Sequence, residues 1–164
     1  MQPVKEMTAQ PFDFSLPENH FKLAIVVSVF NEEVTEGLLA SAHDRLNKVG
    51  FPKQQLTIVK VPGAVEIGII TQQLATSKHY AAIICLGAVI RGETSHYDFV
   101  CQQVSYACQK VALETCIPVI FGILTTETEA QALARVSKGA EAIDTALAMI
   151  SLLKLIAAQA TQKM

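Results

Sequence analysis

Four short apolar runs, each followed by a stretch of helical period, set the architecture of this chain. Residues 23–29 are apolar and rich in β-branched side chains, the pattern of a strand buried on both faces. Residues 32–49 change period. Val34, Leu38, Ala42, Leu46 and Val49 fall on one broad face, and Gly50 stops the helix. A second strand over 56–61 leads through Pro62-Gly63 into a short helix over 64–75. The third strand covers 80–86 and the third helix 97–114. The fourth strand, 117–124, has Pro118 near its start, where a missing N–H is tolerable. Helices over 126–136 and 140–158 complete the pattern. The last carries Ile143, Leu147, Ile150 and Leu153, and also Ala146, Leu152, Leu155 and Ile156, which fits a helix covered on more than one side. Residues 1–20 are polar, with Pro3, Pro11 and Pro17, and read as an extended arm ahead of a single domain over 21–164.

Strand–helix alternation of this kind predicts an α/β fold: a flavodoxin-like, three-layer α/β/α sandwich around a four-stranded parallel sheet. In such folds ligands collect beyond the carboxyl ends of the strands, at the switch point between the first and third. Those two ends are Phe30-Asn31 and residues 88–94.

Composition adds one expectation and removes several. A chain of 164 residues can bury a substantial single core. Only 17% of its residues are charged and 51% are hydrophobic. Average domains carry roughly 25% charged residues; a well-filled α/β core is one reading, and apolar surface buried against other copies of the chain is the favoured one. A net charge of −2 without a basic cluster leaves no footprint for nucleic acid. No apolar run approaches the ~20 residues of a membrane span, and the N-terminus lacks the apolar core of a secretory signal. Cys85, Cys101, Cys108 and Cys116 show no C-x-x-C spacing. They read as buried, reduced thiols of a cytoplasmic protein, not as disulfides or a metal site.

The chemistry concentrates in residues 87–98, Gly-Ala-Val-Ile-Arg-Gly-Glu-Thr-Ser-His-Tyr-Asp. A strand end, a polar turn and a helix start in that order form an anion pocket, because the first helical N–H groups are unpaired and the dipole end is positive. Ser95 and Asp98 have the spacing of a capping box, with Ser95 as N-cap and His96 as the first helical residue. His96 is placed there to move a proton; a packing or capping histidine is the alternative. Gly92-Glu93-Thr94 offers backbone N–H groups and a hydroxyl to phosphate, or forms an ordinary turn. Neither a Walker pattern nor G-x-G-x-x-G is present. Arg135 closes the helix over 126–136, and Glu141 is near enough in sequence to orient it. It becomes a phosphate ligand only if the fold or a neighbouring copy brings it to the turn. Glu66 either accepts hydrogen bonds from a polyol or ring N–H, or complements a helix dipole. Phe30, at the crevice, is placed to stack on a planar heterocycle, whereas Phe121 reads as core packing. His20, His43 and His79 read as solvated.

Phe30-Asn31, then Val61-Pro62-Gly63-Ala64-Val65-Glu66-Ile67, the 87–98 block, Pro118-Val119-Ile120-Phe121-Gly122-Ile123-Leu124-Thr125-Thr126-Glu127 and Arg135 follow one another in the order and spacing of a known family. Over residues 22–157 the chain resembles the lumazine synthases, which catalyse the penultimate step of riboflavin biosynthesis. The resemblance implies condensation of 5-amino-6-(D-ribitylamino)uracil with 3,4-dihydroxy-2-butanone 4-phosphate to 6,7-dimethyl-8-ribityllumazine, phosphate and water. It implies no metal and no organic cofactor. Phe30 would stack on the pyrimidine, and Ala64, Val65 and Glu66 would hold the ribityl chain. Ala88, Val89 and Ile90 would line the ring pocket. Glu93 and Thr94 would bind phosphate with Arg135 as the cation, and His96 would move protons. Phe121 and Arg135 would come from a neighbouring subunit of a homopentamer. In some members such pentamers join into icosahedral shells of sixty subunits, and riboflavin synthase is a candidate partner.

The chain departs from the usual family pattern at Val29, Val65 and Gly68, and its connection from Arg135 to the last helix is shorter. Three other readings compete. An archaeal-type riboflavin synthase shares the architecture but not the full block from Gly92 to His96. A non-catalytic flavin-binding assembly protein would not need His96, Arg135 and Glu66 together. A phospho-receiver would need an aspartate after the third strand, and none is there.

Overall fold

The computed structural model of the protein describes residues 4–161. Its sheet has four parallel strands in the order β2-β1-β3-β4, where β1 is Leu23–Ser28, β2 Leu56–Val61, β3 Ala82–Ile90 and β4 Val119–Thr126. The inner strands β1 and β3 are the two continuous apolar runs, and every position but the last of β3 is buried. The edge strand β2, with Thr57 and Lys60 among its apolar residues, is half-exposed. Alternate residues of β1 feed opposite layers. Leu23, Ile25 and Val27 pack with α1 (Glu32–Lys48), α4 (Glu129–Leu133) and α5 (Lys138–Thr161). Ala24 and Val26 pack with α2 (Ile67–Thr76) and α3 (His96–Thr115). The three-layer arrangement and the strand count are those the sequence pattern predicts.

Two glycines set how closely the helices meet. A Cβ on Gly139 would collide with the Leu38 carbonyl oxygen and lie 3.0 Å from the Ala42 nitrogen, so α5 rests directly on the backbone of α1. A Cβ on Gly68 would come within 2.7 Å of the Ala107 Cβ, where α2 crosses α3.

Boundaries differ from expectation in three places. β3 runs on to Ile90, because Gly87, Ala88, Val89 and Ile90 continue their ladder with Ile123, Leu124, Thr125 and Thr126. Consequently Thr126 belongs to β4, and the expected helix over 126–136 shrinks to the five residues of α4. The Thr128 hydroxyl accepts from the Gln131 N–H at 3.2 Å, and the Gln131 Oε1 accepts from the Thr128 N–H at 3.3 Å. This reciprocal cap starts the helix late. Thr128→Ala should cost about 1 kcal/mol, read as a lower midpoint in urea unfolding. Finally, Ala64–Glu66 forms a 3-10 turn before α2 begins.

The arm has no regular structure over residues 4–13 and a 3-10 turn at Pro17–Asn19. Its first three residues, including Pro3, lie outside the described residues. Phe14 is buried, with its ring 5.2 Å edge-on from Phe51 and 5.6 Å from Phe21, so the end of the arm is anchored in the core. His20, expected in solvent, is half-buried and its Nε2 lies 2.8 Å from the Phe14 carbonyl oxygen. All four cysteines are free. Cys85 and Cys108 are buried as expected, but Cys116 is exposed in a left-handed C-cap with φ 56°. Contact with Cys108 and burial push the Cys85 thiol well above its usual range, which keeps it protonated and unreactive.

Candidate functional site

The ends of β1 and β3 part at the switch point, and a cleft of about 580 Å³ opens there. Phe30, Ala64, Val65, Glu66, Ala88, Val89, Ile90, Thr94 and His96 all line it. Phe30 is 72% exposed although its N–H is fixed to the Pro62 carbonyl at 2.9 Å, so a pinned backbone presents a free ring. Asn31 has a left-handed backbone (φ 61°), and its Nδ2 donates to the Ala88 carbonyl at 2.9 Å. It thereby ties the end of β1 to that of β3. The signal for it in the sequence was an asparagine ahead of a helix, one of the few residues that tolerates this conformation. Glu66 Oε2 accepts from the Gly63 N–H at 2.9 Å, and its second oxygen has no hydrogen-bond donor among the described residues. The carboxylate is thus both a first-turn cap and an acceptor aimed from an exposed position.

The turn from Arg91 to His96 is exposed. The N–H groups of Gly92, Glu93 and Thr94 meet no acceptor among the described residues, as an anion cradle requires. Glu93 itself stands on the turn but not against the cleft. The expected capping box does not form. Ser95 makes no side-chain cap, and the His96 N–H donates to the Thr94 Oγ1 at 3.3 Å. Asp98 turns instead to Arg91, whose Nη1 and Nη2 each lie 3.4 Å from its carboxylate. A charge-assisted contact wins over a backbone cap. Arg91 also donates from Nε to Glu127 Oε2 at 2.8 Å, and its guanidinium lies 4.2 Å from the centre of the Tyr97 ring. Asp98 first, and Glu127 with it, hold the Arg91 pKa above its ordinary value. No local spacing flags this residue, because Glu127 is 36 positions away.

Phe121 and Arg135 lie elsewhere. They line a second open cleft of about 550 Å³ along β4 and the start of α5, which shares no lining residue with the first. Phe121 is 44% exposed, not a core residue: on the edge strand its side chain faces outward. Arg135 does not close α4 but follows it by two residues, and its Nη1 donates to the Gln131 carbonyl at 2.8 Å. Glu141 does not orient it. That carboxylate is taken by Lys138 at 2.5 Å, and Arg135 meets no carboxylate among the described residues.

Taken together, the fold and its first cleft define an α/β protein of the doubly wound class whose switch-point cleft offers an aromatic face, a polar wall and an exposed turn with backbone N–H groups unpaired among the described residues. No helix among the described residues is long and apolar enough to cross a membrane, and no cluster of metal-ligating side chains is found among them. The family model for 6,7-dimethyl-8-ribityllumazine synthase matches residues 20–154. Two relatives of that name, from Coxiella burnetii strains CbuG_Q212 and RSA 493 / Nine Mile phase I, are each 56% identical over 144 residues, covering 85% of this chain and 95% of theirs. The chain therefore belongs to the 6,7-dimethyl-8-ribityllumazine synthase family.

Proposed function

We propose that the chain condenses 5-amino-6-(D-ribitylamino)uracil with 3,4-dihydroxy-2-butanone 4-phosphate to give 6,7-dimethyl-8-ribityllumazine, phosphate and water, as a cytoplasmic homopentamer. The observation that carries the reading is the division of the site. The switch-point cleft has the histidine and an exposed turn with backbone N–H groups free among the described residues, but Arg91, at the end of the neighbouring strand, is engaged by two carboxylates. The second cleft has an exposed aromatic ring and an arginine that meets no carboxylate among the described residues. Head-to-tail association of copies in a ring brings each half against its complement. Apolar surface suited to that contact is plentiful: Ile69 and Tyr106 stand exposed on the α2–α3 side, and Leu153 and Ile156 on α5.

Phe30 stacks on the pyrimidine, while Ala88, Val89 and Ile90 shape its pocket. Glu66, with Ala64 and Val65 beside it, accepts from the ribityl hydroxyls through its second carboxylate oxygen. Glu93 and Thr94 present the phosphate cradle, Arg135 of the adjoining copy supplies the positive charge, and Phe121 of that copy closes the wall. The uracil amine attacks the ketone, an imine forms with loss of water, phosphate departs, and ring closure releases a second water. His96 moves protons at these steps. The sequence of steps is redox-neutral and needs no electron carrier. Both reactants are intrinsically reactive, so most of the acceleration comes from holding them in register.

Incubating the purified full chain with both substrates should yield lumazine fluorescence and stoichiometric phosphate, and sedimentation should show a pentamer or a multiple of it. A well-folded protein that consumes neither substrate sinks this reading, and so does an active monomer.

A further inference from the structure

Arg91 is the first residue after β3, and four separate contacts fix it. Its N–H donates to the Thr126 carbonyl at 2.9 Å, which closes the β3–β4 ladder. Its side chain holds Asp98 on one side and Glu127 on the other, and stacks on Tyr97. Asp98 lies in the first turn of α3, two residues after His96. Glu127 heads the loop that leads to Arg135. Its N–H donates to the Gln131 Oε1 at 2.9 Å, and the Gln131 carbonyl accepts from Arg135 Nη1 at 2.8 Å. An unbroken series of polar contacts therefore runs from the helix start under His96, through Arg91, Glu127 and Gln131, to Arg135.

We infer that Arg91 is a positioning residue that locks the His96 end of one active site to the Arg135 end of the next, so that each subunit's clamp serves two sites. The inference rests on the shared-site reading above.

The chemistry favours a clamp over a ligand. A guanidinium facing two carboxylates has its charge largely neutralised and its donors occupied, which leaves little for a substrate phosphate. Nor is the cluster chiefly a stability device. The Arg91, Asp98 and Glu127 side chains are 37%, 60% and 60% exposed, and exposed ion pairs of this kind contribute little. What the planar fork supplies is direction: it reaches two carboxylates at once and sits over a ring. A misplacement of even 1 Å in a reacting group can cost as much as about 10²-fold in rate.

The test separates the two arms of the clamp. Asp98→Asn loosens only the helix start and should lower kcat about fivefold with the KM for the butanone phosphate nearly unchanged. Glu127→Gln loosens only the Arg135 loop and should raise that KM about fivefold with kcat nearly unchanged. Arg91→Lys keeps the charge but loses the fork and should do both, while the melting temperature moves by no more than a few degrees. KM for the ribitylaminouracil should change little in all three. An active wild-type protein whose Arg91→Lys variant keeps both constants, or loses thermal stability alone, overturns the inference and leaves the reaction standing. Equal losses in kcat for all three variants, without the KM split, also overturn it. A wild-type protein that forms no lumazine overturns both readings.

Discussion

Oligomers assembled from an equal mixture of His96→Ala and Arg135→Ala chains should recover about a quarter of the wild-type rate, although each variant alone is crippled. On the proposed roles, loss of the imidazole should remove proton transfer worth about 10²-fold in kcat, with slow turnover persisting because the reactants would still be held together. On the same reading, loss of the guanidinium should remove a charge-assisted contact to phosphate, about 2–3 kcal/mol, and raise the KM for the butanone phosphate by 10²-fold or nearly so. If, as proposed, each site of a head-to-tail ring takes His96 from one chain and Arg135 from the next, random mixing rebuilds one intact site in about four. The check is the specific activity of mixed and unmixed preparations at saturating uracil and limiting butanone phosphate. A mixture that shows only the mean of its two components would mean that both side chains act within a single copy.

The largest effect on stability is expected at Gly139. Gly139→Ala should destabilise the fold by at least about 3 kcal/mol, read from urea unfolding at unchanged m-value. The added methyl meets the Leu38 carbonyl and the Ala42 N–H region of α1, both of them backbone within a hydrogen-bonded helix, so no side-chain rotation relieves the clash. Relief requires α1 and α5 to separate. That would open the layer in which Leu38, Ala42, Ala142 and Ile143 pack. Wild-type stability in this variant would show that the helix pair slides freely.

What the sequence revealed follows from how locally each feature is determined. The inner strands announce themselves because burial on both faces leaves no room for polar residues, and Leu23–Ser28 and the core of β3 were readable on that ground. The end of β3 was not, since Gly87 looks like a turn residue and only its pairing with Ile123 shows that the strand continues. The helix over 126–136 had the right composition but lost Thr126 to β4, Glu127 and Thr128 to the loop that caps it, and its last residues to a turn. Phe30 lies at the cleft, as its position at the switch point implies. Phe121 was misjudged because the orientation of an edge-strand residue depends on which side of the sheet is left open, a property of topology. The capping box at Ser95 met all local rules and failed to a competitor, Arg91, whose second partner lies across the β3–β4 junction.

The separation of the two clefts on one chain has a thermodynamic consequence. On the shared-site reading, anything bound there acts as mortar between protomers, so occupancy and assembly are linked by mass action. Phosphate or substrate should slow subunit dissociation, and simple dilution should silence the enzyme as an inhibitor would. The cell's concentration of this chain then becomes a control on flux in its own right.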